Sequence, residues 1–167
     1  MHLHHKEKLM SVTIRPASTE DIPGITDILR DLGWFDKLSA APLEVARGQI
    51  RRHLALCMSD GSHTVYVAEE GGAIEGYISV HWIPFLFLRG PEGYISELVV
   101  ADLNRGHGIG AQLVDKVKED AVRRGCRRLS LLNSRGRESY QRGFYQKHGW
   151  IERTDMANFI FELELAK

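Results

Sequence analysis

The sequence has few of the features that mark membrane, secreted or nucleic-acid-binding proteins. It contains no run of about 18 apolar residues, as a transmembrane helix would need. Its two cysteines, Cys57 and Cys126, are far apart and lack metal-ligand spacing, which argues against a disulfide framework. Basic and acidic side chains number 22 each, so no charge excess indicates a nucleic acid or an anionic membrane as partner. These absences favour a cytoplasmic protein.

The length and composition predict one domain. With 167 residues and 43% hydrophobic content, the chain can bury one good core, and we expect a single domain over residues 12–167. Residues 1–11 contain His2, His4 and His5 in a polar setting. A metal site is one interpretation, but a disordered leader is the better one. We therefore expect no metal.

Hydrophobic periodicity and turn residues predict a mixed α/β fold. Ser18 and Asp21 have the spacing of a helix N-terminus, and Gly71 and Gly72 mark a hairpin turn. The predicted strands cover 12–15, 63–69, 73–82, 94–101, 127–133, 150–152 and 158–165. The predicted helices cover 18–32, 43–58, 108–124 and 137–148.

The most informative segment leads from an apolar strand through alternating glycines into a helix. Such a junction leaves backbone N–H groups unpaired at the positive end of the helix dipole, which suits a phosphate. Arg105 could add a bidentate contact. The expected ligand-binding positions are Arg105, Gly106, His107, Gly108, Ile109 and Gly110.

Other glycine-loop ligands fit this segment less well. A dinucleotide fingerprint tolerates Ala111 as its last small residue, but the strand after the helix ends in Asn133 and Ser134 rather than in an acidic residue. A P-loop is excluded because no Gly-Lys-Ser/Thr follows the glycines. A glycine-rich turn without a ligand remains the plain alternative.

Two motifs resemble the GNAT family of N-acetyltransferases. Arg105, Gly108 and Gly110 match that family's pyrophosphate-loop pattern, Gln/Arg-x-x-Gly-x-Gly/Ala, and residues 144–150 resemble its Phe-Tyr-x-Lys-x-Gly-Phe pattern with Trp150 for the last Phe. The predicted order of elements also resembles the family over residues 12–165. The resemblance implies a central, mostly antiparallel sheet with a splayed parallel pair, flanked by about four helices. It further implies an acetyl-CoA-dependent N-acetyltransferase that works by direct attack of a primary amine in a ternary complex.

The resemblance places a general acid at Tyr145, since the family carries its acid at this tyrosine and a phenol stays protonated at neutral pH. Packing at the core edge is the alternative for Tyr145. Glu97 is the candidate base, because a lone carboxylate in an apolar strand must be paired, hydrated or used. A salt bridge at a strand end is nearly as good an interpretation of Glu97. His81 is a second candidate for the base.

Cofactor contacts on the strands follow from the resemblance. Leu98, Val99 and Val100 are expected to offer backbone groups to the pantetheine arm and the acyl carbonyl. The sequence departs from the family at Glu138, where an asparagine is frequent. Asn133 and Ser134 at the strand end are candidates to serve instead, and a contact of Arg137 with a phosphate is the alternative.

Aromatic, irregular segments are candidates for the acceptor site. Trp34 and Phe35 lie between two predicted helices, and His81 and Trp82 end a predicted strand. Such segments could instead pack in the core or form a subunit interface, so a homodimer is possible. We expect the acceptor to be a small-molecule or peptide amine. The alternatives for the whole chain are a non-catalytic acyl-CoA-binding regulatory module and an acyltransferase with a longer donor.

Overall fold

A computed structural model describes residues 11–163 of the chain. These residues form two compact units that divide after Leu132. Except for Ser11, the predicted leader and its histidines lie outside the described residues. The single domain stays a prediction.

The first unit contains most of the regular structure. Its strands are β1 (Thr13–Pro16), β2 (His63–Glu70), β3 (Ala73–Ile83), β4 (Glu92–Val100) and β5 (Arg128–Leu131). Its helices are α1 (Ile22–Asp31), α2 (Asp36–Ala40), α3 (Leu43–Cys57) and α4 (Ile109–Arg123). The short helix α2 occupies a segment for which the sequence predicts irregular structure.

The five strands form one sheet in the order β1-β2-β3-β4-β5. Neighbouring strands are antiparallel except β4 and β5, which are parallel. The parallel pairing covers only Glu92 to Ile95 of β4, so β4 continues to Val100 without β5 beside it. This confirms the expected mixed fold.

The sheet buries both of its faces. One face places Val67, Tyr77 and Val99 in a core with apolar residues of α1 and α3. The opposite face contacts α4, whose Leu113 lies next to the backbone at Gly76. Sheet and α4 residues that are fully buried include Ile78, Val80, Leu113, Val114 and Val117. Two helical layers on one sheet explain why β3 and the end of β4 are apolar on both sides.

The predicted N-terminus of the first helix is confirmed in a modified form. Ser18 and Asp21 form a capping box on a 3₁₀ turn, Thr19–Asp21, which leads directly into α1. The Asp21 carboxylate also accepts hydrogen bonds from the Arg15 guanidinium at 2.7 and 2.9 Å. This contact joins the start of α1 to β1.

The second unit differs from the sequence prediction. The helix predicted over 137–148 is broken into α5 (Glu138–Gln141) and α6 (Phe144–Lys147), because Gly143 adopts a left-handed conformation with φ of 65°. The strands predicted at 150–152 and 158–165 are wrong as far as the described residues reach, since 150–152 and 158–163 form no regular structure. Polar contacts connect its segments: Glu152 accepts hydrogen bonds from Arg135 at 2.8 Å and from the Tyr140 hydroxyl at 3.0 Å.

Candidate active site

The glycine loop has the backbone geometry of an anion site. Gly106 and Gly108 have φ values of 85° and 82°, which L side chains rarely adopt, and a Cβ added at either would meet open space. Gly108 is the N-cap of α4, and because it has no side chain it makes no cap hydrogen bond to that helix's first turn. The first N–H groups of this 15-residue helix therefore remain available to a ligand.

Arg105 is held next to this loop by two neighbours. Its Nη2 donates to Asp102 Oδ1 at 2.6 Å, and its guanidinium carbon lies 5.4 Å from the ring centroid of Trp34. A guanidinium has five N–H donors in one plane, so these contacts leave donors for an anion. Arg105 directly precedes Gly106 in the chain, and its guanidinium contacts Trp34, a residue that the sequence predicts for the acceptor site.

A β-bulge in β4 determines where Glu97 lies. Ser79 of β3 pairs with Glu97, whereas the next residue, Val80, pairs with Ile95, so Ser96 is the extra residue. Both Ser96 and Glu97 are exposed although their strand is central. The bulge lies immediately beyond Ile95, where the pairing with β5 ends. A bulge at this point turns a polar pair out of an otherwise buried strand.

The Glu97 carboxylate has a mixed environment. Its tip reaches solvent, yet surrounding protein atoms desolvate the group, and this burial raises its pKa above the ordinary value. A hydrogen bond from the Tyr77 hydroxyl and the positive charge of His53 on α3 oppose the rise. Tyr77 is itself buried, and burial together with the Glu97 charge raises the pKa of its phenol. The carboxylate is therefore positioned by a donor and tuned towards proton exchange nearer neutrality.

Histidines extend the polar group along the same face. The Nε2 atom of His81 lies 2.8 Å from the hydroxyl oxygen of Ser96, the extra residue of the bulge. The His63 ring packs edge-on against His81 with centroids 4.2 Å apart. Burial and the neighbouring His63 lower the pKa of His81, which favours the neutral imidazole. His81 of β3 is thus an uncharged hydrogen-bonding group on the face of the sheet that carries Glu97.

Residues 98–100 of β4 offer backbone groups at the edge that pairs with β5 earlier in the strand, at residues 92–95. Residues 98–100 pair with residues 78–76 of β3, and within residues 11–163 no strand pairs with them on the other side. Val99 is buried, and Leu98 and Val100 are half-buried. Their side chains contribute to packing, so their backbone is the part that remains available to a ligand, in the manner of an added strand.

The second unit places Tyr145 on α6. Its ring packs edge-on against Phe144 and Trp150, with centroids 5.0 and 5.8 Å apart, and its carbonyl accepts the Trp150 N–H at 3.1 Å. Burial raises the pKa of the Tyr145 phenol, against the opposing positive charge of Arg137. The phenol is therefore protonated at neutral pH, as a proton donor must be.

Asn133 carries a polar atom that is unsatisfied. Its Oδ1 accepts from the Ser139 hydroxyl at 3.3 Å, whereas its Nδ2 is buried without a hydrogen-bond partner among the described residues. An unpaired buried amide N–H costs about 1–3 kcal/mol. Asn133 therefore has a donor to offer a bound group.

Comparisons with known proteins identify the family. A sequence model of the Acetyltransferase (GNAT) family matches residues 29–150. The chain belongs to the GNAT acetyltransferases. Glucosamine 6-phosphate N-acetyltransferase 1 of Oryza sativa subsp. japonica is 29% identical to this GNAT chain over 142 residues, which are 82% of the chain and 83% of that protein. Thialysine N-epsilon-acetyltransferase of Bos taurus is 26% identical over 147 residues, 78% of the chain and 81% of that protein.

A solved structure agrees with the family assignment. A transcriptional regulator from Bacillus halodurans C-125 matches this GNAT protein with a TM-score of 0.77 and 26% identity, over 92% of the chain and all of that structure. The family match and the named relatives show that the chain is an acyltransferase, and this solved structure has the same fold. Within residues 11–163, no helix is long and apolar enough to cross a bilayer. The same residues contain no group of three potential metal-binding side chains.

The predicted acceptor residues of this GNAT protein lie in different surroundings. Trp82 is only 7% exposed, and its indole N–H donates to Thr64 Oγ1 at 2.9 Å, so burial favours a packing role over the predicted acceptor contact. Trp34 lies at Arg105, and Phe35 beside it is exposed. His107 is exposed within the glycine loop.

Sequence reasoning missed Tyr77 and Asp102. Tyr77 reads as one more apolar position of β3. The register places it on the same face of the sheet as Glu97, and the hydrogen bond from its hydroxyl favours the charged form of that carboxyl. Asp102 lies three residues before Arg105, and this spacing is the signal that could have indicated their ion pair.

Proposed function

We propose that this GNAT protein transfers an acetyl group from acetyl-CoA to a primary amine by direct attack in a ternary complex. The observation that carries the proposal is the Glu97 carboxylate at the bulge, whose pKa is raised by the protein atoms around it. It lies next to strand backbone that pairs on one side only among the described residues. An ionisable group in this position suits proton abstraction better than packing.

The residues present suit a coenzyme A thioester. The first turn of α4 and Arg105 would hold the pyrophosphate, and the unpaired backbone at residues 98–100 would hold the pantetheine arm. The buried, unpartnered Nδ2 of Asn133 offers a further donor. Acetyl-CoA supplies the acyl group as a thioester.

Glu97 acts as the base in this proposal. An alkylammonium has no lone pair, so one proton must leave before the nitrogen can attack. The carboxylate of Glu97 accepts that proton, directly or through water, and the raised pKa makes it a stronger base than an ordinary glutamate. The nitrogen then forms a bond to the thioester carbonyl carbon.

Tyr145 acts as the acid. The C–S bond breaks as the tetrahedral intermediate collapses, and the sulfur leaves with the bonding electron pair. The Tyr145 phenol donates its proton to that sulfur, so the products are an N-acetylated amine and the coenzyme A thiol. The nitrogen loses its second proton to solvent as the intermediate collapses, the phenolate regains a proton from solvent, and Glu97 releases the proton it accepted. The net reaction converts the ammonium and acetyl-CoA into the amide, the coenzyme A thiol and one proton, and it needs no other reactant.

The acceptor is proposed to be a primary amine on a small molecule or a peptide. The similar proteins support this, since their names specify glucosamine 6-phosphate and thialysine. His81, beside the bulge, and the exposed Phe35 are the side chains we propose to contact the acceptor.

The deciding experiment measures thiol release from acetyl-CoA over a panel of amines, including glucosamine 6-phosphate, thialysine, polyamines, aminoglycosides and short peptides. Wild-type protein should release thiol with one amine class. Glu97→Gln and Tyr145→Phe should each lower kcat by at least about tenfold. Glu119→Gln on the exposed face of α4 and Tyr140→Phe in the second unit are matched controls.

Two results would contradict parts of the proposal. Coenzyme binding without thiol release from any amine would favour a non-catalytic acyl-CoA-binding module. Faster turnover of a longer acyl donor than of acetyl-CoA would contradict the proposed donor while preserving the reaction class.

A further inference from the structure

The indole of Trp34 covers the arginine of the glycine loop. The Arg105 guanidinium carbon lies 5.4 Å from the ring centroid, within the range of a cation–π contact. Trp34 belongs to the connection between α1 and α2, which is separated from Arg105 by some 70 residues in sequence. A surface aromatic from a distant segment thus meets the one arginine of this loop.

The two neighbours of Arg105 occupy different parts of the guanidinium. Asp102 accepts from one nitrogen at 2.6 Å, while the indole interacts with the cation through its ring. Contact with an aromatic ring leaves the remaining in-plane N–H donors available, and a phosphate accepts from such donors in a bidentate manner. Trp34 and an anion can therefore bind Arg105 at the same time.

The contact also limits the conformations of a long side chain. Arginine loses considerable rotamer entropy when it is fixed, and Arg105 is partly exposed. A residue that fixes it before the ligand arrives lowers the entropic cost of binding. Trp34 is itself 45% exposed, so it adds little to the core.

We propose that Trp34 is a positioning residue for Arg105, which it holds in the orientation that grips the pyrophosphate of a coenzyme A ligand. This inference rests on the proposed function, because that function supplies the pyrophosphate. It moves Trp34 from the predicted acceptor site to the coenzyme site. Because Phe35 follows Trp34 directly, it also links the connection between α1 and α2 to coenzyme binding.

The test is a double-mutant cycle on coenzyme A affinity, measured by isothermal titration calorimetry with Trp34→Leu, Arg105→Ala and the double variant. Trp34→Leu should weaken binding about two- to fivefold, as expected for an exposed cation–π contact. In the Arg105→Ala background the same change should have no further effect. Trp34→Phe, which keeps an aromatic face, should recover part of the affinity.

Two further readouts separate positioning from a structural role. Trp34→Leu should raise KM for acetyl-CoA with kcat unchanged, and its melting temperature should stay close to that of the wild type. Coenzyme A should change the tryptophan emission of the wild type, and the change should be smaller in Trp34→Leu. Leu56→Ala, which removes an exposed apolar side chain from α3, is the matched control and should leave coenzyme A affinity unchanged.

The outcomes distinguish the two proposals. Wild-type protein that fails to bind coenzyme A overturns the proposed function and this inference with it. Wild-type protein that binds while Trp34→Leu binds equally well, or loses affinity additively with Arg105→Ala, overturns the role of Trp34 alone.

Discussion

Removing the Tyr77 hydroxyl tests whether a buried donor tunes the proposed base. Tyr77 is 3% exposed, and its hydroxyl donates to the Glu97 carboxylate across the pair formed by β3 and β4. Tyr77→Phe keeps the ring, so the core between the sheet and the α1 and α3 helices remains filled. The carboxylate loses a hydrogen bond that favours its charged form.

The size of the effect follows from the energy of that bond. A hydrogen bond to a charged group contributes about 1.5–3 kcal/mol, and the low end applies because Glu97 reaches solvent. About 1.4 kcal/mol changes an equilibrium tenfold, so the ionised fraction of Glu97 on the acid side should fall by about tenfold at a fixed pH. The pKa of Glu97 is already raised by burial, and the substitution should raise it further.

The assay is kcat at saturating acetyl-CoA and amine, across the pH range in which the protein stays folded. Wild-type activity should rise with pH as Glu97 ionises, and the rise should move to higher pH in Tyr77→Phe. Tyr66→Phe is the matched control, because the buried Tyr66 hydroxyl donates to Asp120 at 3.0 Å on the other face of the sheet. If the rise of kcat with pH does not move in Tyr77→Phe, Tyr77 does not tune the pKa of Glu97. If the rise persists in Glu97→Gln, Glu97 is not the base.

Three further predictions concern the stability of the fold. Gly108→Ala should destabilise the protein by about 1–2 kcal/mol, because φ is 82°, and should weaken coenzyme A binding in calorimetry, whereas Gly110→Ala inside α4 should not destabilise it. Leu113→Ala in the fully buried contact between α4 and the sheet should cost about 2–5 kcal/mol, read from the urea midpoint. Hydrogen bonds from the Arg15 guanidinium lower the pKa of Asp21. The stability that this ion pair contributes is therefore present above the ordinary carboxyl pKa and is lost as the pH falls through the lowered pKa. In thermal melts, Asp21→Asn should lose less stability in acid than the wild type does.

Elements with a strong local pattern could be predicted from the sequence. Alternation around a glycine turn predicts the β2–β3 hairpin, and an apolar stripe after Gly108 predicts α4, each within two residues of its observed ends. The glycine loop is equally local, since its chemistry depends on consecutive residues. These features need no knowledge of what packs against them.

The end of the chain could not be predicted in this way. Phe159, Phe161 and Leu163 alternate with other residues, which favours a strand, yet these side chains are exposed and the described segment has no pairing partner. A strand requires a neighbour for its backbone, which alternation alone does not supply. Gly143 breaks the last predicted helix because its φ is positive. A glycine can adopt a helical or a left-handed conformation, so the residue type alone does not predict the break.

The Glu97 site depends on a feature that periodicity conceals. Tyr94 and Glu97 are three residues apart, and strict alternation would place them on opposite faces of the sheet. In the structure Tyr94 pairs with His81 and Glu97 with Ser79, and these two β3 residues share a face. The extra residue Ser96 restores the alternation, so the carboxylate, the histidine and Tyr77 lie on one side.

The same bulge explains how one strand serves both the core and the chemistry. Before it, β4 pairs with β5 and is buried on both faces; after it, β4 has a partner on one side only, and its backbone is available. A regular strand with this composition would have to bury Glu97 or lose its apolar register. The irregularity lets the flanking residues stay in the core while two polar residues leave it. Glu97, which we propose as the base, and the backbone of residues 98–100 therefore lie next to each other at one local change in register.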